Sequence, residues 1–415
     1  MNKIQQLINE LCPGGVEYKK LEEVVVWNKK FKDANNIFKP VKIPDILNKK
    51  ANEIAVDNGD IKILTTGLKD LYTFREGNDN YIYNAEVITI PSGGSANIKY
   101  HAGDFINCGN IIGIAKDKNV LNTKYLYYFL IENKTLIESF YRGGGIKHPS
   151  MPDILRIRIP LPPLKIQNEI VKVFDIFVEL TTELTTELNL RSSQYVYYRD
   201  KLLDFDQNQE IRIKKLGEMC SVKMGKRVLN KDTNNTKGIP FHTISTLGHK
   251  ATKYISKELF NQLKRNYPYP SKEQILISTS GTIGKIVEFD GKNQYFQDSN
   301  IVWLENDEKN VLNKYLYYFL QTKPWNSNKS STIERLYNKD LEQLTIKMPS
   351  LTTQNKIVNF LNNFELICLD LNIGLPKETE LRNKQYEYYR DQIFNYLNTG
   401  RVDTNERERE RERES

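Results

Sequence analysis

Lys124-Tyr125-Leu126-Tyr127-Tyr128-Phe129-Leu130 occurs twice, returning letter for letter as Lys314-Tyr315-Leu316-Tyr317-Tyr318-Phe319-Leu320. Each copy follows Val-Leu-Asn, at Val120-Leu121-Asn122 and at Val311-Leu312-Asn313. Further out, Gln167-Asn168 and Ile170-Val171 return as Gln354-Asn355 and Ile357-Val358. Gln194-Tyr195 with Tyr197-Tyr198-Arg199-Asp200 returns as Gln385-Tyr386 with Tyr388-Tyr389-Arg390-Asp391. Lys20-Leu21 matches Lys215-Leu216. The order is kept, with spacings from 187 (167 to 354) to 195 (20 to 215). One large module has been duplicated; this is not a short-period solenoid. Between the matches, Phe31 to Gly109 and Asn230 to Ser299 barely resemble each other. A repeated frame with divergent inserts points to two related binding units that read different things.

The 415 residues are enough for two to three domains with their own cores. With 39% apolar and 27% charged residues, the composition is that of a globular protein rather than a disordered one. No run approaches the ~18 apolar residues of a membrane helix. Met1 to Leu11 lacks an apolar signal core. Cys12, Cys108, Cys220 and Cys368 are scattered, without a Cys-x-x-Cys pair. A cytoplasmic protein is expected. The net charge of +8 favours a polyanionic partner only mildly.

Residues 3–11 read as a short helix stopped by Pro13-Gly14-Gly15. Glu86 to Ile90 and Ile111 to Ala115 read as buried strands. Asn122 is placed to cap a helix running to Asn133, and Arg156 to Ile159 alternates like a closing strand. Beyond Pro160, Pro162 and Pro163 the pattern changes. Ile166, Ile170, Val173, Phe177, Leu180, Leu184 and Leu188 step by threes and fours, and Tyr195, Tyr198, Leu202 and Phe205 resume the series. That predicts a helix of roughly 40 residues, about 60 Å long. Ile357, Phe360, Leu361, Phe364, Ile367 and Leu371, then Tyr386, Tyr389, Ile393 and Leu397, supply a partner. Gly374-Leu375-Pro376 interrupts the partner and predicts a kink or break at 374–376.

The predicted fold class is therefore α/β (α+β). Two pseudo-repeated globular units with β-sheet cores alternate with two long antiparallel coiled-coil helices. The first short helix stands where the end of a long helix stands in the second copy, which implies a cyclic, pseudo-two-fold arrangement.

Catalytic signatures are missing from the sequence. No Gly-x-Gly-x-x-Gly occurs, and Gly281-Thr282-Ile283-Gly284-Lys285 has the wrong spacing for a phosphate loop. No amino-methyltransferase Asn/Asp-Pro-Pro-aromatic tetrapeptide is present, and the four His lie apart from the Cys. Asp117 with Glu132 and Lys134 faintly resembles a nuclease constellation, but Glu132 and Lys134 fall at the end of the Tyr-rich helix. The Tyr-rich motifs read as core packing before base-stacking platforms. Tyr195, Tyr197, Tyr198 and Arg199 read as helix packing or a docking surface.

The ligand candidates lie in Gly-rich polar turns, where a backbone can approach a phosphate. Ser92, Gly94 and Ser95, with Asn97 and Lys99, form the first; Thr279, Ser280 and Thr282, with Lys285, are the counterpart. Arg142, Lys147 and His148 flank a second Gly-rich loop, whose counterpart holds Lys329 and Arg335. A plain hairpin turn is an equal alternative for each loop.

Three kinds of motif carry a resemblance. They are Ile159 to Gln167 (Ile-Pro-Leu-Pro-Pro-Leu-Lys-Ile-Gln, weaker at Met348 to Gln354), the two Gln-Tyr-x-Tyr-Tyr-Arg-Asp segments, and Leu11 to Tyr18. In this order and duplicated, the chain resembles the specificity subunit of a type I restriction-modification system over nearly its whole length. On the residue pattern, a short N-terminal helix covers 1–15, long helices cover 165–206 and 352–398, and the alternating Glu/Arg tail at 399–415 is expected to be disordered; the resemblance implies that the units at 16–164 and 207–351 are target recognition domains. It implies an asymmetric bipartite site on double-stranded DNA, with the helices as ruler and as dock for two methyltransferase subunits and for restriction subunits. S-adenosylmethionine, ATP and Mg would be bound by those partners, and this chain would need no cofactor or metal. The alternatives are a methyltransferase or nuclease with unrecognised residues, and a coiled-coil scaffold without a nucleic-acid role.

Overall fold

A computed structural model describes residues 2–35, 37–205, 211–281, 283–325, 335–368 and 373–400. The chain divides into two units, Met1–Leu184 with Thr379–Ser415, and Thr185–Glu378.

The first unit is built on ten strands. These are β1 (Tyr18–Lys20), β2 (Val25–Trp27), β3 (Ile61–Leu64), β4 (Leu71–Thr73), β5 (Ile82–Pro91), β6 (Lys99–Asn107), β7 (Asn110–Ala115), β8 (Tyr141–Arg142), β9 (His148–Pro149) and β10 (Arg158–Pro160). One sheet has the order β2-β7-β5-β6-β3-β4, antiparallel except where β3 runs parallel to β6. β5 is central, and Val87, Ile88, Thr89 and Ile90 are buried on both faces. That explains why this segment reads as a continuous apolar run rather than an alternation. β1 pairs with β10, and β8 with β9. The predicted closing strand begins later than its alternation indicates, because Arg156 and Ile157 end the short helix Met151–Leu155.

The second unit has nine strands: β11 (Arg212–Lys215), β12 (Ser221–Met224), β13 (Ile239–His242), β14 (Lys253–Ile255), β15 (Ile275–Ser278), β16 (Ile286–Glu288), β17 (Tyr295–Phe296), β18 (Ile301–Glu305) and β19 (Thr345–Met348). Its main sheet is β12-β18-β15-β16, and β11 pairs with β19. The frame β2-β7-β5-β6 is thus repeated as β12-β18-β15-β16, and β1·β10 as β11·β19. What differs is the insert. In the first unit it adds β3-β4 to the edge of the sheet; in the second it forms a separate sheet, β14-β13-β17.

The repeated letters hold the frame together. Asn122 caps the first Tyr-rich helix, Thr123–Glu132, accepting from the N–H of Lys124 and Tyr125. Tyr125 and Tyr128 are buried, as are Tyr315 and Tyr318 in the second Tyr-rich helix, Asn313–Gln321. The Tyr125 hydroxyl donates to the Pro160 carbonyl at 2.9 Å, and that of Tyr315 to the Lys347 carbonyl at 2.8 Å. Gln167 Nε2 donates to Val120 O and Pro162 O, both at 2.8 Å, while its Oε1 accepts from Asn122 N at 2.9 Å. Gln354 repeats this with Asn310 O and Pro349 O at 3.0 Å and Leu312 N at 2.9 Å. Each Gln stitches the loop before the Tyr-rich helix to the start of the long helix.

The first long helix is continuous from Leu164 to Leu203. Of the predicted stripe, Ile166, Ile170 and Tyr195 are buried, Val173, Phe177 and Leu202 are half-buried and Leu180 is exposed, while Phe174 and Leu203, outside the predicted series, are buried. The apolar pattern is therefore satisfied at the helix ends, against each unit, more than in the middle. The partner is two helices, Leu351–Cys368 and Gly374–Thr399. In the first unit, Phe174 packs on Tyr386 and Phe394, and Phe177 on Tyr389, which makes the two segments antiparallel. In the second, Tyr198 packs on Phe360 and Phe364.

The N-terminal helix, Asn2–Leu11, sits in the first unit's core with Ile393, Phe394, Tyr396 and Leu397. Tyr396 donates to Asn9 Oδ1 at 2.9 Å. The start of the chain thus lies against its last helix, as the cyclic reading requires. The Glu/Arg stretch Glu406 to Glu414 lies outside the described residues.

Candidate nucleic-acid interface

The loops singled out by composition occupy equivalent places. Ser92 to Asn97 connects β5 to β6, and Thr279 to Lys285 connects β15 to β16. In the first unit, the Gly94 N–H donates to Lys147 O at 2.8 Å, and His148 Nδ1 donates to Ser92 O at 2.6 Å. In the second, the Leu336 N–H donates to Thr279 O at 2.8 Å, and Ser280 bridges to Arg335. In each unit, therefore, the two candidate loops are joined by backbone bonds. Sequence alone gave no sign of this pairing, because the two loops lie about fifty residues apart in each copy.

The side chains divide into presented and committed groups. Arg142, Lys147 and His148 are all exposed around the Gly-rich tip. Arg142 pairs with Asp153 at 3.0 Å, whereas Lys147 makes no ion pair with a described residue. Ser95 is exposed at the adjoining turn. Asn97 donates to Thr66 O at 3.2 Å. Lys99 does not join the surface charge: its ammonium bonds Asp70 and, at 2.9 Å, Thr65 O. Thr279 is buried, with its hydroxyl on Ser299 O at 2.6 Å, and Ser280 donates to Asn300 Oδ1 at 2.8 Å. Lys285 makes no ion pair with a described residue; its backbone N–H donates to Ser278 Oγ at 2.9 Å. Arg335 Nη2 donates to Ser299 Oγ at 3.1 Å. Thr282 and Lys329 lie outside the described residues.

Sequence reading missed a cleft of about 440 Å³ in the second unit, shared by Arg227, Asn230, Lys253, Gln297, Ser299 and Arg335. Its residues come from five segments, at 227–233, 241–243, 253, 297–300 and 335, so no local motif announces it. Arg335 was already a candidate from its loop, and the Lys226-Arg227 pair just after β12 is a further signal.

Two of the three residues of the nuclease-like constellation are otherwise engaged. Glu132 is ion-paired to Arg390, and Asp117 Oδ1 accepts from Asn119 N at 2.8 Å. Burial raises the thiols of Cys12, Cys108 and Cys368, and pushes Cys220 up to about 12, away from reactive thiolate. The Tyr128 phenol is pushed far above its ordinary value by burial and then by Asp175, to which it donates at 2.6 Å. Among the described residues, no cluster of His, Cys, Asp and Glu is placed to hold a metal ion, and no helix is long and apolar enough to cross a membrane.

The model of the type I restriction modification DNA specificity domain matches the chain twice, over residues 13–191 and 208–381. The chain belongs to this family. A Haemophilus influenzae protein assigned as a type I restriction enzyme specificity subunit is 39% identical over 410 residues, 95% of this chain and 100% of that protein. The Escherichia coli EcoR124I/EcoR124II specificity subunit is 29% identical over 306 residues, covering 68% of this chain and 72% of that one. The fold is that of the type I S subunit from M. genitalium, with a TM-score of 0.57 at 17% identity, covering 92% and 96% of the two chains. The two matched segments coincide with the two copies of the frame, including the start of each long helix.

Proposed function

We propose that this chain is the DNA-reading, non-catalytic subunit of a type I restriction-modification complex, and that it recognises an asymmetric bipartite target on double-stranded DNA. One observation carries the reading: a four-stranded frame is repeated, its inserts differ in topology, and each copy joins two polar loops at the equivalent hairpin. Equal frames with unequal inserts suit two half-sites of different sequence. The long helices serve as the dock for two methyltransferase subunits, which bind S-adenosylmethionine, and for restriction subunits, which use ATP and Mg. The work takes place on DNA in the cytoplasm.

Mapping methylated adenines in cells with and without the gene tests this. One motif of two unlike halves separated by a fixed gap should lose its methylation on deletion. An unchanged map, or loss at a single continuous motif, contradicts the reading. Methyl transfer by the purified chain alone would favour the enzymatic alternative.

A further inference from the structure

The cleft of the second unit is lined by Arg227, Lys253 and Arg335 against a single carboxylate, Asp298. Arg227 faces Asp298 at 3.8 Å and is largely exposed. The other two cations have neutral partners. Lys253 Nζ donates to Asn230 Oδ1 at 2.7 Å. Arg335 is held by Ser299 Oγ at 3.1 Å, lies 5.9 Å from the Tyr337 ring centroid, and makes no ion pair with a described carboxylate. Among the described residues, two positive charges are therefore fixed in position without a carboxylate to neutralise them.

The polar part of the remaining lining is Asn230, Thr233, Thr243, Gln297, Ser299 and Asn300, and Val228, Leu229 and Phe241 supply an apolar wall. Arg, Lys, Ser, Thr, Asn and Gln are the side chains that take phosphate and sugar oxygens. Shape decides between backbone and base. Base edges are recessed within the grooves of a duplex and are reached by protruding elements. A concave site accepts what protrudes from the duplex, which is the sugar–phosphate ridge.

We propose that this cleft seats the sugar–phosphate backbone of one strand at the half-site read by the second unit, with Arg335 and Lys253 on neighbouring phosphates. The proposal rests on the DNA reading above and adds a division of labour within the divergent insert. Part of that insert positions the duplex without choosing its sequence.

The test uses the full chain assembled with its methyltransferase partners and a duplex bearing its target. Single methylphosphonate linkages, which remove one phosphate charge, are placed at each position in turn. Wild type should lose affinity at one or two adjacent linkages in one half-site. Lys253→Ala and Arg335→Ala should be insensitive at those linkages and should each lower the salt slope by about one unit, with base preference unchanged. If Arg335→Ala fails to fold, Lys253→Ala decides alone, with its melting temperature checked against wild type. Full sensitivity at every linkage in the variants overturns the proposal. So does a variant that relaxes preference at one base pair, which would make the cleft a reader of bases. Wild type that binds without sequence selectivity overturns the underlying DNA reading, and the cleft assignment with it.

Discussion

Gln167 shows what the repeated letters do. It is fully buried and satisfies one N–H and two carbonyls that helix and sheet leave unpaired. Gln167→Leu preserves approximate volume and orphans all three groups. At about 1–3 kcal/mol per buried unsatisfied group, partly relieved by water, a loss of roughly 3 kcal/mol is expected in urea unfolding. A loss below about 1 kcal/mol would show that the stitch is dispensable. Lys147 and Lys285, by contrast, make no ion pair with a described residue. Replacing either with Ala should lower the salt slope of DNA binding by about one unit while the fold survives. Unchanged affinity and slope in both variants would return these loops to plain turns. At this scale the sequence was partly legible. Composition picked out the Gly-rich loops, but it could not tell Lys147 from Lys99, whose charge Asp70 takes up.

At the level of elements, a kink or break was expected at Gly374-Leu375-Pro376, and the structure has one helix ending at Cys368 and another that begins at Gly374 and carries Leu375 and Pro376 in its first turn. Gly374 has φ of 74°, and a Cβ there would lie 2.5 Å from the Leu366 carbonyl oxygen and 2.6 Å from that of Ile367. The left-handed conformation costs an L-residue about 1–2 kcal/mol, before that crowding is counted. Gly374→Ala should therefore destabilise the protein by about 2 kcal/mol or more in thermal unfolding. A neutral result would mean that the junction can rearrange without cost. The elements most legible in the sequence were those with period and punctuation. The first long helix was placed to within a few residues by its stripe and its leading prolines, and the Tyr-rich helix by Asn122. The inserts were not legible, because β13, β14 and β17 are short and β13 pairs with the distant β17, Phe241 lying opposite Tyr295. Such pairing leaves little local signal.

On the scale of the whole molecule, duplication is the organising fact, and the return of the C-terminal helix to the first unit follows from it. We propose that the long helices set the gap between half-sites. Inserting one heptad near Thr185 and another near Thr379 lengthens each helix by roughly 10 Å and keeps its stripe in register. The preferred gap should grow by about three base pairs, with the half-sites unchanged. A folded, DNA-binding variant whose gap is unaltered would make the helices a docking surface only. The central claim is narrower, namely that each unit reads its own half. Replacing residues 20–160 with the equivalent segment of another family member, then mapping methylated adenines, tests it most directly. One half of the motif should change while the other half and the gap persist; a change in both halves would contradict the account.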